Sequence, residues 1–304
     1  MMLKNFGQME QFVREQFVRE QSGKKRVALA AAHDADALGS LMMAVDRGIA
    51  EAILIGRRKE IVRVLDEMGK DAGDFRIIEE EDDRAAADKA VELVHCGEAD
   101  MPMKGLMHTS TFMKAILDKE KGLKEEGNLL SQASVFEIPE KDRFLIISDC
   151  AVNIDPDLET KIKITENAAA LAHTLGIEQP KIAVLSAVEV VNPKIRSTVD
   201  AAAMRERLSD RYLIDGPLAL DNAIDEAAAH HKGIESPVAG NADILIVPDL
   251  WSGNIFSKGL VFFAHLRSAG TLNGLKAPVV MSSRTDTVEN KYLSILTAVL
   301  QTIR

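Results

Sequence analysis

Short apolar segments alternate with helical patterns along most of the chain, and this alternation limits the possible folds more than any other feature. The first segment, Val27–Ala32, precedes a helical pattern that runs to about Arg47. Glu51–Gly56 and Phe75–Ile78 repeat the arrangement, each followed by another helical pattern. Because strands that alternate with helices usually form a parallel sheet, the sequence predicts an α/β protein.

A second series of the same kind begins at Phe144–Ser148 and continues with Ile182–Ser186 and Ile244–Val247. A length of 304 residues suits two domains of this kind. We therefore expect a domain boundary near residue 143. The last strand, Pro278–Ser282, and a final helix from about Val288 fit either domain on pattern alone.

Composition excludes several classes of protein. Lys and Arg total 37 against 47 Asp and Glu, a net charge of −10, so nucleic acid is not an expected partner. No apolar run approaches the roughly 18 residues that span a bilayer, and the N-terminal segment has the pattern of an amphipathic helix. With two cysteines there is no disulfide framework. We expect a cytoplasmic protein without a membrane partner.

One candidate site segment, Pro248–Lys258, follows an apolar strand and opens a helix. Backbone N–H groups at a helix start, beside a lysine, favour anion binding. The candidate residues are Gly253, Asn254 and Lys258. The alternative is a plain strand–turn–helix junction capped by Ser252 or Asn254.

A second candidate segment, Ser282–Thr287, closes the predicted strand Pro278–Ser282, the end where open α/β sheets bind ligands. The Arg284 guanidinium can bind two phosphate oxygens at once, and the Ser283 hydroxyl can support a developing oxyanion. The alternative is that Arg284 pairs with Asp286 in a solvated turn.

The third candidate segment is the loop 99–108 and the helix start that follows it. Hydroxyls and lysines there suit a second wall of a phosphate site, contributed by Thr109, Ser110, Thr111 and Lys114. In the alternative, Thr109 and Ser110 only cap the helix.

Asp215–Ala223 carries two carboxylates but equally fits a turn and helix cap. The chain has no HExxH, P-loop, GxGxxG or GxSxG motif.

In order, several segments resemble the phosphate acetyl/butyryltransferase family, most of all its butyryl branch. The resemblance extends from about Lys25 to Ile303 and rests on Lys104–Phe112, Ser186–Pro193, Asp215–Ile224, Ser236–Gly240, Gly253–Ile255 and Ser283–Arg284. It implies two α/β/α domains with a cleft between them, in an isocitrate/isopropylmalate dehydrogenase-like fold. Residues 1–143 plus 276–304 would form the first domain, and 144–275 the second, through which a homodimer or higher homo-oligomer would form.

The resemblance also implies an activity: a short acyl group passes between coenzyme A and inorganic phosphate, as in butyryl-CoA plus phosphate giving butyryl phosphate plus CoA. No cofactor, metal or covalent enzyme intermediate is expected. Arg284 would bind phosphate and Ser283 would hold the reacting carbonyl. Gly253, Asn254 and Lys258 would line the substrate cleft, faced by Thr109–Thr111 and Lys114.

The sequence departs from the family pattern at the group that activates the CoA thiol. Asn290 stands where acetyl-specific relatives carry an Asp base, so the role passes to Asp286, to Glu289 or to solvent. Ser257 also stands where many relatives have Tyr, and Lys114 where many have Arg. Lysine does not reproduce the bidentate fork of arginine.

Two other functions fit the sequence. A metal- and NAD-dependent decarboxylating hydroxyacid dehydrogenase of the same fold would need carboxylates placed to hold a divalent cation. A non-catalytic CoA binder would explain the missing base at Asn290. Activity on acyl-CoA with phosphate would indicate the acyltransferase, and NAD reduction with a hydroxyacid would indicate the dehydrogenase. CoA binding with neither activity would indicate the non-catalytic binder.

Overall fold

The computed structural model describes residues 1–21 and 23–304. Its strands, in chain order, are β1 (Lys25–Ala30), β2 (Ala50–Gly56), β3 (Arg76–Glu79), β4 (Met101–Lys104), β5 (Ser131–Ile138), β6 (Arg143–Ser148), β7 (Lys181–Leu185), β8 (Leu213–Leu218), β9 (Ile244–Ile246) and β10 (Ser268–Asn273).

The helices in the same residues are α1 (Phe6–Glu20), α2 (Ala35–Asp46), α3 (Arg58–Glu67), α4 (Asp83–His95), α5 (Thr109–Ile116), α6 (Leu158–Thr174), α7 (Arg196–Leu208), α8 (Leu220–Ile224), α9 (Glu226–His231), α10 (Leu250–Phe262) and α11 (Val288–Gln301). Helices separate most of the consecutive strands, and the strands form two sheets. The predicted α/β class is confirmed. Among the described residues, none of the helices combines the length and apolarity that crossing a bilayer would require.

The chain forms two compact units. Residues 6–128 and 269–304 form one, named here the terminal unit, and residues 1–5 and 129–268 form the other, the central unit. The sequence pattern predicts a boundary near 143 instead, and the family resemblance implies a second one before residue 276. The first division lies earlier because β5 pairs antiparallel with β6, from Ala133 opposite Ser148 to Ile138 opposite Arg143, which places β5 in the central unit.

The terminal unit contains a four-stranded parallel sheet in the order β3-β2-β1-β4. The prediction of a loop over residues 99–108 is wrong in its first half, because Met101–Lys104 is the fully buried strand β4. Pro102 lacks an N–H but its carbonyl accepts from Val280, so the proline is compatible with pairing. The predicted strand Pro278–Ser282 forms only isolated bridges, Met103 with Val280 and Leu272 with Val279.

Helix α11 is the central helix of the terminal unit. Every residue from Asn290 to Leu300 is buried, and the helix packs against α1 and α2. The amphipathic N-terminal helix predicted from sequence is confirmed as α1, which buries Phe6, Met9 and Val13. Helix α11 begins immediately after the loop that carries Arg284, so its burial fixes one end of that loop.

The central unit contains the strands β5-β6-β9-β7-β8 in that order, with all neighbours parallel except β5 and β6. Asp215, predicted in a turn or helix cap, lies within β8, which ends its sheet and therefore tolerates Pro217. Apolar side chains from both faces of the sheet form the core, including Phe136, Ile147 and Leu245.

Candidate active site

The carboxyl ends of β1 and β4 form a topological switch point in the terminal unit. From β1 the chain moves to β2 and β3 on one side of the sheet, then returns to β4 on the other side of β1. Open α/β sheets bind ligands in the crevice at such a point. The side chains available there are Lys104, the last residue of β4, and those that follow β1.

Gly105 allows the segment after β4 to lie against the end of β1. A Cβ on this glycine would collide with the backbone carbonyl oxygens of Ala30 and Ala31. Instead, Gly105 N–H donates to the Ala30 carbonyl at 2.8 Å and Leu106 N–H to the Ala31 carbonyl at 3.2 Å. The backbone up to Met107 is therefore held in place.

The loop that carries Arg284 is shaped by its own hydrogen bonds. The Asp286 carboxylate accepts from the Ser283 N–H at 2.7 Å, and the Ser283 and Thr285 hydroxyls are 3.1 Å apart. Thr287 caps α11 by accepting from the Asn290 N–H at 3.1 Å. The loop conformation therefore does not depend on the Arg284 side chain.

The Arg284 guanidinium is exposed and weakly held. Its Nη2 donates to the Met107 carbonyl at 3.4 Å, and it forms no ion pair with any residue in the described part of the chain. The alternative in which Arg284 pairs with Asp286 is wrong, because that carboxylate is turned towards the Ser283 N–H. The guanidinium fork remains available to a bound anion.

Two buried lysines lie at the same edge of the sheet. Lys291, 3% exposed, donates from Nζ to the carbonyls of Asp286 and, at 3.5 Å, of Arg284, with the Asp36 carboxylate 3.9 Å away. Lys104 is 5% exposed, and its Nζ donates to the Gly105 carbonyl at 3.2 Å. Burial, and next the charge of Arg284, hold the pKa of Lys104 below its usual value.

Helix α5 presents the predicted hydroxyls at its first turn. His108 is the N-cap residue and makes no side-chain capping bond, so the expectation that Thr109 and Ser110 cap the helix is wrong. In the part of the chain that the structure describes, the hydroxyls of Thr109, Ser110 and Thr111 have no hydrogen-bond partner. Lys114 is exposed one turn later.

The residues considered for thiol activation differ in accessibility. Glu289 is exposed in the first turn of α11, and Asp286 is partly exposed. Asn290 is only 7% exposed, and its N–H is bound by Thr287. Of the three, the two carboxylates are the more open to solvent.

A second group of predicted residues lies in the central unit, at the adjacent carboxyl ends of β6 and β9. Asp249 is the N-cap of α10 and forms a capping box with Ser252 at N3, so the cap assigned to Ser252 or Asn254 is wrong: Ser252 supports the cap from N3 and Asn254 takes no part in it. A Cβ on Gly253 would lie 2.5 Å from the Asp149 carbonyl oxygen. Asn254 Nδ2 donates to the Cys150 carbonyl at 3.2 Å, and Lys258 is exposed.

The segment Asp149–Asn153 was missed by the sequence analysis. Its buried Asp149 carboxylate accepts from the N–H groups of Ala151 at 2.8 Å and Val152 at 2.9 Å, and from Asn153 Nδ2 at 2.6 Å. The available signal was the polar pair Asp149 and Asn153 directly after the buried strand β6. Polar residues at that position mark the ligand-binding end of a parallel sheet.

The structure thus gathers the predicted residues into two groups. In the terminal unit, Arg284 contacts Met107 and so joins the Ser283–Asp286 loop to the segment that leads into Thr109–Thr111. Gly253 and Asn254 belong to the central unit and contact the Asp149–Asn153 segment. The terminal group combines one arginine, two buried lysines and free hydroxyls, which suits a tetrahedral oxyanion.

The described residues also bear on whether the chain has a metal site. Within residues 1–21 and 23–304, no three His, Cys, Asp or Glu side chains are placed to hold an ion together. Cys96 is exposed and Cys150 is buried, and neither forms a disulfide.

Comparison with known proteins matches this chain to one family. Residues 84–299 match the family described as phosphate acetyl/butaryl transferase. The chain is 47% identical over 281 residues to a phosphate butyryltransferase of Clostridium acetobutylicum, which covers 91% of this chain and 93% of that protein. It is 42% identical over 276 residues to a phosphate acetyltransferase of Thermotoga maritima, covering 89% and 93% respectively.

The chain is also similar in structure to a solved phosphotransacylase. The crystal structure of a branched-chain phosphotransacylase from Enterococcus faecalis superimposes with a TM-score of 0.81 at 34% sequence identity. The match covers 91% of this chain and 98% of that one. The similarity therefore includes both units rather than one of them.

Proposed function

The chain belongs to the phosphate acetyl/butaryl transferase family, and on that premise we propose that it exchanges a short acyl group between coenzyme A and inorganic phosphate. Butyryl is the proposed acyl group, since the relative at 47% identity is a phosphate butyryltransferase. The observation that supports the phosphate half of this reaction is the Arg284 guanidinium, which has no ion pair within the described residues and lies at the end where parallel sheets bind ligands.

In the proposed reaction a phosphate oxygen attacks the thioester carbonyl carbon. The carbonyl becomes an oxyanion, the C–S bond breaks, and the CoA thiolate leaves with the electron pair and takes a proton. The reverse reaction begins when the thiol loses that proton and attacks the acyl phosphate. Arg284 holds the phosphoryl oxygens in both directions, and holding the phosphate beside the thioester lowers the entropic cost of bringing the reactants together.

Ser283 is proposed to donate to the carbonyl oxygen as charge develops. Its hydroxyl is exposed and its backbone is fixed by Asp286, so the group is oriented before substrate binds. Preorganised donors of this kind stabilise a developing oxyanion without reorganisation during the reaction. The unpartnered hydroxyls of Thr109, Ser110 and Thr111, with Lys114, are proposed to bind the substrate beside it.

The central unit is proposed to contribute substrate contacts through Gly253, Asn254 and Lys258. Gly253 allows α10 to start directly against the Asp149 backbone, and Lys258 is exposed two turns into that helix. An exposed lysine without an ion pair in the described sequence suits the phosphates of CoA.

Activation of the thiol is proposed to fall to Asp286 or Glu289. Asp286 already accepts one backbone hydrogen bond, whereas Glu289 lies on the exposed side of the first helical turn. A carboxylate base contributes about 10²- to 10⁴-fold in rate. Asp286→Asn is compared with Glu289→Gln, and the base is the residue whose replacement lowers the thiol-dependent rate by that factor. Equal, small effects would assign it to solvent.

The experiment that tests the function is phosphate-dependent release of CoA thiol from acyl-CoA, with and without a chelator. We expect release that requires phosphate and persists with the chelator. NAD reduction with a hydroxyacid would favour the dehydrogenase, and CoA binding without release would favour the non-catalytic binder. The isocitrate/isopropylmalate dehydrogenase-like fold, the homodimer and the cytoplasmic location stay predictions.

A further inference from the structure

Lys104 is a buried cation with little to compensate its charge. It ends β4 at the switch point between β1 and β4, is 5% exposed, and donates only to the carbonyl of the next residue, at 3.2 Å. In the described part of the chain no carboxylate lies within ion-pair distance of its Nζ. Buried charges are normally paired, so this arrangement is costly unless an anion binds.

The charged groups around Lys104 come from three elements. Arg284, from the loop before α11, and Lys291, from α11 itself, repel its ammonium. Asp34, which precedes α2, and Asp286 attract it more weakly than Arg284 repels it. Of the two carboxylates, Asp286 already accepts from the Ser283 N–H. Three cations, from the end of β4, the loop before α11 and α11 itself, are thus close enough for the other two to repel the Lys104 ammonium.

The cations do not have equivalent roles. Lys291 is tied to two carbonyls of the Arg284 loop, so it positions that loop. Arg284 is exposed and has one weak internal contact, so its guanidinium is available to a ligand. Lys104 is rigidly placed by the buried strand β4 and by the packing of Gly105 against β1.

We propose that Lys104 is a further ligand of the phosphoryl group, which it binds together with Arg284, in both inorganic phosphate and acyl phosphate. This inference rests on the proposed function and adds a residue to it. A phosphate dianion between Lys104 and Arg284 offsets their mutual repulsion and gives Lys104 the anionic partner that the protein itself does not supply.

The proposal makes phosphate binding dependent on pH. Because the pKa of Lys104 is lowered in the free protein and an anion favours its charged form, phosphate binds the protonated state. Raising the pH through that lowered pKa therefore weakens phosphate binding. An arginine at the same position stays charged and removes this dependence.

The test compares wild type with Lys104→Met and Lys104→Arg, and with Lys59→Met as a control that removes an exposed lysine from the same unit. The measurements are KM for phosphate, KM for acyl-CoA and kcat across neutral to alkaline pH. We expect Lys104→Met to raise KM for phosphate about 10- to 100-fold. KM for acyl-CoA should change little, and Lys59→Met should behave as wild type.

Stability separates this role from a structural one. Without phosphate, the midpoint of thermal unfolding of Lys104→Met should equal or exceed that of wild type, because the variant has lost an uncompensated buried charge. With phosphate, the rise in midpoint that wild type shows should be lost in Lys104→Met. Lys104→Arg should keep phosphate affinity at alkaline pH, where the affinity of wild type falls.

The proposal is overturned if Lys104→Met keeps the phosphate KM and the phosphate-induced stabilisation of wild type. It is also overturned if Lys104→Arg shows the same alkaline loss as wild type, a comparison that does not require the methionine variant to fold. Failure of the proposed function is a different result, because wild type itself would then show no phosphate-dependent thiol release.

Discussion

Replacing Arg284 with alanine should remove phosphate binding while leaving the fold intact. The side chain is exposed, has one 3.4 Å contact to the Met107 carbonyl and forms no ion pair in the described sequence. Surface substitutions of this kind usually change the free energy of unfolding by less than about 0.5 kcal/mol. The loop keeps its shape, because the Ser283–Asp286 and Thr287–Asn290 hydrogen bonds are independent of the guanidinium.

The catalytic effect of the same change should be much larger. Truncating one partner of a hydrogen-bonded charge pair costs about 2 to 5 kcal/mol when the pair is desolvated. At about 1.4 kcal/mol per factor of ten, kcat/KM for phosphate should fall by about 30- to 4,000-fold. Lysine at 284 keeps the charge but not the bidentate fork, so Arg284→Lys should lie between alanine and wild type.

The assay is thiol release at varied phosphate and saturating acyl-CoA, with unfolding followed in parallel. Arg63→Ala is the matched control, since Arg63 is an exposed arginine of the terminal unit that pairs with Glu67 on α3. An Arg284→Ala enzyme with an unchanged phosphate saturation curve would refute the assignment. A large loss of stability would show instead that the loop depends on the guanidinium.

Three further predictions concern the supporting structure. Gly253→Ala should destabilise the protein by about 1 to 3 kcal/mol in denaturant unfolding, because the new Cβ would meet the Asp149 carbonyl oxygen at 2.5 Å. Gly259→Ala is the control in the same helix: its Cβ would meet open space, so it should stabilise the protein by up to about 1 kcal/mol. Equal effects would contradict the packing argument. Lys161→Ala should cost about 1 to 3 kcal/mol, because the partly buried Asp200 carboxylate, 2.7 Å from Lys161, then keeps only Arg196 as a partner. A midpoint like that of wild type would show that Arg196 compensates fully. Tyr292→Phe should cost about 1.5 to 3 kcal/mol at neutral pH through its 2.7 Å bond to Glu10. Burial raises the pKa of Glu10, but the hydrogen bonds from Tyr292 and Arg47 outweigh burial and hold that pKa below its usual value of 4.5. The difference in unfolding free energy between wild type and Tyr292→Phe should therefore shrink as the pH falls below 4.5 and Glu10 is protonated. A difference that stays constant with pH would exclude the ionised Glu10 as its source.

Most of the fold was predictable because buried parallel strands have a strong local signal. The apolar runs at β1, β2, β6 and β7, for example, were located within two residues of their observed ends. Strands β4, β5, β8 and β10 were not predicted, and β4 shows the physical reason most clearly. Met101–Lys104 is short and contains a proline and a lysine, and its strand character depends on pairing with β1 and Val280. Tertiary pairing overrides local propensity in such segments.

The candidate site was predictable only in part. Ser283, Arg284 and the α5 hydroxyls were found because they follow strand ends and carry oxyanion-binding groups. The partner of Asp286 was not predictable, since a carboxylate beside an arginine in sequence says nothing about which group it faces. Lys104 and Lys291 gain their significance from burial, and burial of a charged side chain is set by packing that no local pattern reports.

The most direct test of the account is phosphate-dependent thiol release by the wild-type protein across acyl-CoA chain lengths. We expect release that rises with phosphate to saturation, is fastest for butyryl-CoA, and produces acyl phosphate in a one-to-one ratio with free thiol. Fastest release from acetyl-CoA would correct the acyl group alone. Absence of phosphate-dependent release at every chain length, from folded protein, would contradict the central claim.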